Sequence, residues 1–182
     1  MIPTIYIGID PGIKGGYCIG SAAPSGMFAP VVCGRIDTGH GSRPMPDMSS
    51  FLADLDVVWR MKTSRVVIGI EQPGSRPVES AKQGERVGTS YGYIWGVTET
   101  AFRLRLGDDD FHRRVSIRWV HPATWSSVVH GTKKKPKSLT AAWVEDHGWT
   151  GFAQVLRGKG VSDHVCDAIA IAYGMSEIYP PA

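Results

Sequence analysis

Cysteine is scarce in this chain, and the three present (Cys18, Cys33 and Cys166) form no CxxC pair. A disulfide framework or a structural zinc site needs more cysteines at closer spacing, so reduced thiols are the expectation. No apolar run approaches the roughly 20 residues of a membrane span. The opening MIPTIYIGID lacks the charged start and cleavage site of a signal peptide, which points to the cytoplasm and away from any membrane partner. Internal repeats, low-complexity tracts and linkers are also missing. A large charge excess is absent: the net charge of +3 is mildly basic, compatible with nucleic acid without requiring it. With 20% charged and 42% hydrophobic residues, wholesale disorder is excluded. The 182 residues suit one well-cored domain spanning 1–182 and are too few for two ordinary ones.

What is present reads as alternating strands and helices. Thr4 to Ile9 is β-branched and apolar and ends at Asp10-Pro11-Gly12, a turn signal, after which Tyr17 to Gly20 returns antiparallel. Phe28 to Ile36 is a third strand, and residues 39–46 are a loop. Asp47 caps a helix whose apolar residues Phe51, Leu52, Leu55, Val58 and Trp59 recur at helical spacing. Val66 to Ile70 is a short continuous apolar run, as in a buried central strand, and delivers Glu71 at its end. A long helix over Ser80 to Leu106, a strand over Val115 to Val120, a short helical turn from His121-Pro122, a helix over Ser138 to His147 stopped by Gly148, and a last helix from Ser162 to Tyr173 complete the order. Five strands with helices between them suit a single mixed α/β sheet.

Within the long helix, Gly84, Gly88, Gly92 and Gly96 recur every four residues. Each costs about 1 kcal/mol relative to alanine, so the ridge predicts a close neighbour: its own sheet, or another helix across a dimer.

Three carboxylates fall among apolar neighbours. Asp10 and Glu71 end apolar strands, and Asp167 lies in the helical run Val165-Cys166-Asp167-Ala168-Ile169-Ala170. Buried carboxylates are costly unless paired or metal-bound. Hard oxygen donors suit Mg²⁺ or Mn²⁺, and two such ions are the usual device for phosphodiester hydrolysis, with Asp10 as the candidate bridge between them. Taken singly, Asp10 is equally a turn former, Glu71 a strand-end charge and Asp167 half of a buried ion pair. His164, three residues before Asp167, shares its helix face, and so nearly does Asp163, four before it; either is a candidate fourth group. Asp163 also suits the helix dipole.

The segments Ile7-Gly8-Ile9-Asp10-Pro11-Gly12, Ile70-Glu71-Gln72 and Asp167-Ala168-Ile169-Ala170-Ile171-Ala172, in this order and spacing, resemble the RuvC-type Holliday junction resolvases. The similarity spans Ile5 to Tyr173, with strong identity confined to those motifs. The resemblance implies an RNase H-like fold with a central mixed five-stranded sheet flanked by helices. It implies a homodimeric, Mg²⁺-dependent endonuclease that nicks four-way DNA junctions symmetrically in recombination and repair. It assigns the acidic set to Asp10, Glu71, His164 and Asp167, and prefers His164 to Asp163. Two departures stand out: Pro73-Gly74-Ser75-Arg76 has no aromatic where bacterial members carry one, and the lysine expected near Trp125 is absent. The divergence would suit a phage-encoded relative.

Lys133-Lys134-Lys135-Pro136-Lys137 puts four cations in five residues of a loop, suited to phosphate contact without base reading. Arg76, Lys82 and Arg86 would extend that surface, whereas Trp125 and Trp143 read as core. The alternatives are the same chemistry on flaps, replication intermediates or RNA–DNA hybrids, and a non-catalytic junction-binding module that keeps the fold. An actin- or Hsp70-like ATPase shares an Asp-x-Gly turn but needs a second domain for which this length leaves no room, so no nucleotide cofactor is expected.

Overall fold

The computed structural model describes residues 3–11, 14–39, 45–61, 65–72, 81–132, 137–153 and 162–181, apart from the side chains of 81–83, 85, 86, 137 and 138. The Gly12 turn residue, Arg76, Lys133, Lys134 and Lys135 lie outside that set, as do the side chains of Lys82, Arg86 and Lys137.

The first run, β1 (Thr4–Asp10), pairs antiparallel with β2 (Gly15–Ala22), which pairs antiparallel with β3 (Phe28–Thr38). On the other side β1 runs parallel to β5 (Arg65–Glu71), and β5 parallel to β6 (Val115–Val120). A two-residue strand, β4 (Pro46–Asp47), adds to the outer edge of β3. The sheet therefore has six strands, in the order β4-β3-β2-β1-β5-β6, where five are read from the sequence. The extra one is too short to leave a periodicity signal, and it turns Pro46 from loop into edge strand, a place where its missing N–H costs no ladder bond.

Seven helices are described. On one face lie α1 (Ser49–Arg60), α2 (Ala81–Leu106) and α3 (Asp108–Arg114); on the other lie α4 (Pro122–His130), α5 (Lys137–Asp146), α6 (Thr150–Ala153) and α7 (Asp163–Ile178). The period-2 alternation of β1 divides the core between the faces. Ile5, Ile7 and Ile9 pack with Phe51, Leu55 and Phe102, while Tyr6 packs with the α7 side chains Ile169, Ile171 and Met175. Asp47 accepts hydrogen bonds from the Ser49 backbone N (2.9 Å) and Oγ (2.6 Å), although Met48, and not Asp47, occupies the cap position. Lys137, expected in a loop, is the first residue of α5, directly after Pro136.

The buried helix α7 lies almost on the backbone of the sheet. A side chain at Gly8 would run into the Ala168 carbonyl and the Ala172 nitrogen, and one at Gly16 would run into the His164 carbonyl. Gly69, paired with Gly8 across β1 and β5, faces Ile171 and Met175. Glycine at these points removes the methyl groups that would otherwise hold helix and sheet apart.

The four-residue glycine ridge of α2 behaves differently. Added side-chain atoms at Gly88, Gly92 and Gly96 would meet nothing within 4 Å, so this ridge is not pressed onto its own sheet. Alongside it, Leu52, Tyr93, Gly96, Val97, Thr100, Ala101 and Leu104 line a shallow apolar groove, with Leu104 83% exposed. No described helix is long and apolar enough to cross a membrane.

Gly8→Ala drives a methyl group into the Ala168 backbone, which no rotamer change can relieve. Urea unfolding of this variant is expected to show a loss of about 3 kcal/mol, whereas Gly92→Ala should stabilise slightly by restoring helix propensity.

Candidate active site

Asp10 and Glu71 end adjacent parallel strands. The register Ile9↔Ile70 brings them alongside one another, both directed to the α7 face by strand alternation. Each is partly buried, where the sheet's C-terminal edge opens beyond its apolar rows. Helix α7 crosses this edge with its first turn over Gly16, the cross-strand partner of Asp10. His164 thereby reaches Asp10, and its Nδ1 lies 2.7 Å from Asp10 Oδ2. With Nδ1 protonated, the imidazole donates to the carboxylate. That hydrogen bond, reinforced by the charges of Asp10, Asp167 and Asp163, raises the His164 pKa above its ordinary value against a smaller opposing effect of burial.

Asp167, one turn further along α7, is 8% exposed and surrounded by Val165, Cys166, Ala168 and Ile169. Asp163 stands in the first turn of α7, and its charge acts on His164 only weakly. Of the two candidates, His164 is the one that makes a hydrogen bond to Asp10.

Glu71 is held from the side. Trp125, fully buried on α4, donates its indole N–H to Glu71 Oε2 at 3.2 Å. The reading of Trp125 as core holds, and the same ring also orients a carboxylate. His121 caps α4 by accepting from the Ala123 N–H at 3.2 Å, which fixes the helix that carries Trp125. Trp143 likewise packs among side chains, against Trp149 and Tyr173.

Tyr91 is a neighbour the sequence does not single out. Its phenol pKa is pushed up well beyond the ordinary range, mainly by burial and then by the negative charges of Asp10 and Glu71. A protonated hydroxyl therefore stands within the electrostatic reach of both acids. Tyr91 also touches Trp119, which stacks on Trp95 at 4.9 Å between ring centroids. Its position depends on how α2 lies over the end of the sheet, and helical periodicity carries no trace of that.

Among the described residues, no three His, Cys, Asp or Glu side chains are gathered closely enough to grip one ion together. The structure joins Asp10 and His164 directly and sets Glu71 beside Asp10. Asp167 lies on the same helix as His164, close enough for its charge to act on the imidazole.

Comparison with known proteins now bears on this arrangement. No family model and no curated protein sequence matches the chain. Solved structures do. The first is Thermus thermophilus RuvC in complex with a Holliday junction substrate, with a TM-score of 0.54 at 18% identity over 97% of this chain and 93% of that one. A second Thermus thermophilus RuvC structure gives a TM-score of 0.54 at 20% identity over 96% and 93%. The mixed sheet with helices on both faces is an RNase H-like fold. More particularly, it is the fold of RuvC, to which this chain is similar along nearly its whole length.

The Asp10 contact has a measurable consequence in metal-free protein. The proton on His164 is favoured in the folded state. Its contribution to stability is fully present below the unfolded imidazole pKa of about 6.5 and fades as pH rises through the higher folded value. An NMR titration should place His164 above ordinary histidine, and Asp10→Asn should bring it back towards that value. An unmoved titration would deny the contact.

Proposed function

We propose that this protein is a metal-dependent endonuclease that resolves four-way DNA junctions by paired, symmetric nicks in recombination and repair. The observation that supports this most is the hydrogen bond between Asp10 and His164 at a sheet edge where the neighbouring strand ends in Glu71, in a fold shared with a RuvC that binds a Holliday junction. The donor chemistry fits hard divalent cations: three carboxylates and an imidazole, with the negative potential of two of them felt at a half-buried phenol. Asp10, Glu71 and Asp167, with His164 as fourth group, would hold two Mg²⁺ or Mn²⁺ ions. Such ions supply an activated water and charge neutralisation at the phosphodiester.

The protein's own part is positioning. The Trp125 N–H fixes one oxygen of Glu71, His164 fixes one oxygen of Asp10, and the Tyr91 hydroxyl stands within electrostatic reach of both acids. Asp167, buried in the second turn of α7, adds a carboxylate on the same helix as His164. The lysines Lys133, Lys134, Lys135 and Lys137, with Arg76, are proposed to contact phosphates. The protein is proposed to act as one domain in the cytoplasm.

A second copy of the chain is proposed to cover the open glycine ridge of α2. Close helix packing needs small residues on the approaching ridge, and the exposed Leu104, Leu52 and Tyr93 supply apolar area around it. Two sites facing one junction would then account for paired nicks. Cleavage of flaps or other branched DNA by the same site is the alternative.

The test is incubation with a synthetic four-way junction, a flap and a linear duplex, with and without Mg²⁺. Paired nicks confined to the junction and dependent on Mg²⁺ are expected. Asp10→Asn, Glu71→Gln and Asp167→Asn should each lower cutting at least a hundredfold while leaving junction binding nearly intact. Loss of binding in all three would remove the metal-site assignment, and flap cleavage alone would favour the alternative. Leu104→Glu should convert a sedimenting dimer to monomer and abolish the pairing of nicks; an unchanged sedimentation coefficient would exclude the α2 face as the interface.

A further inference from the structure

The strand register extends the site one strand further than the acids. Asp10 pairs with Gly16, and Gly16 pairs with Arg35 on β3. Residues paired across antiparallel strands point to the same face, so Asp10, Gly16 and Arg35 form one row directed towards α7. The middle member has no side chain, and the His164 backbone rests on it. His164 reaches Asp10 on one side of this contact. On the other side Arg35 and Val165, the residue after His164, line a cleft of about 760 Å³ together with Cys33, Gly34, Asp54 and Phe152. Two strand spacings, about 10 Å, separate the Asp10 and Arg35 backbones.

Arg35 is poorly matched by its own protein. Among the described residues its buried Nε has no hydrogen-bond partner. The carboxylate paired with it, Asp37, stands 3.9 Å away and is 72% exposed, too distant and too hydrated to hold the guanidinium firmly. An unsatisfied buried Nε is uncommon and costly, so the protein itself holds this guanidinium loosely, and the side chain, 36% exposed, can be reached by an anion from outside. A guanidinium presents a planar fork that suits the two oxygens of a phosphodiester.

We infer that Arg35 binds a backbone phosphate of the DNA strand whose scissile bond lies at Asp10, gripping it on the far side of the first turn of α7. This deepens the nuclease reading and rests on it. Arg35 contacts the substrate but not the reacting atoms, so its loss acts on binding and strand placement.

The test is equilibrium binding of a fluorescent four-way junction in EDTA, from 50 to 200 mM KCl, with parallel cutting assays in Mg²⁺. Arg35→Gln is expected to weaken binding about tenfold at 100 mM KCl and to reduce the slope of log affinity against log salt by about one, the signature of one lost phosphate contact. Arg35→Lys should keep the wild-type slope, because it keeps the charge. Arg35→Met preserves the apolar stem and replaces the glutamine variant if that one does not melt cooperatively. An unchanged slope in the neutral variants overturns the inference, even if affinity falls, because a purely structural residue would behave that way. If the wild-type protein binds the junction with this slope but never cuts it, the nuclease reading fails while the Arg35 contact stands. If the wild-type protein does not bind DNA, both fall.

Discussion

The structure depends on how closely α7 lies against the sheet. A helix normally packs on a sheet with side chains filling the gap between them. Here the Ala168 carbonyl, the Ala172 nitrogen and the His164 carbonyl come so close to Gly8 and Gly16 that a single methyl group at either position would be in the way. Because that contact is backbone against backbone, it cannot be relaxed by rotating a side chain. It fixes the height of α7 above β1 and β2, and hence the distance from which His164 approaches Asp10. The small, buried Ala168, Ala170 and Ala172 belong to the same constraint.

Electrostatics builds on that placement. Several acids at the end of a hydrophobic sheet would repel one another, and the fold supplies counterweights at particular atoms. His164 gives Asp10 a charged or shared proton, the Trp125 indole gives Glu71 a neutral donor, and Tyr91 keeps its hydroxyl protonated. Both strand-end carboxylates are therefore oriented from the α7 face, by α7 itself and by α4. Arg35, on the same row beyond Gly16, is the weakly compensated member, a partly exposed cation whose paired carboxylate, Asp37, stands 3.9 Å away.

The two glycine-rich surfaces make opposite use of the same property. Spaced four residues apart on α2, the glycines were expected either to meet the chain's own sheet or to meet another helix. Gly88, Gly92 and Gly96 face open space, and Gly96 lines a groove bordered by exposed leucine and tyrosine. The glycines that do meet a helix are in strands, at Gly8, Gly16 and Gly69, where no four-residue rhythm marks them. Regular spacing on a helix identifies a shared face but leaves open what that face meets.

Local signals in the chain determined much. The apolar runs ending at Asp10 and Glu71 and the strand over Val115–Val120 were legible because strand alternation and β-branching are properties of neighbouring residues. The acids themselves were legible because a carboxylate is out of place in an apolar run. The two-residue β4, the helix α3 and the cap at Met48 were not, since elements so short or so irregular leave no periodic trace. Only the tertiary structure decided that His164 rather than Asp163 meets Asp10, that Trp125 holds Glu71, that Tyr91 stands near both acids and that Arg35 shares their row. Each of these is a meeting of residues tens of positions or more apart in the chain. Such meetings are set by strand order and by the height of one helix over a sheet, and neither quantity is written in the spacing of adjacent residues.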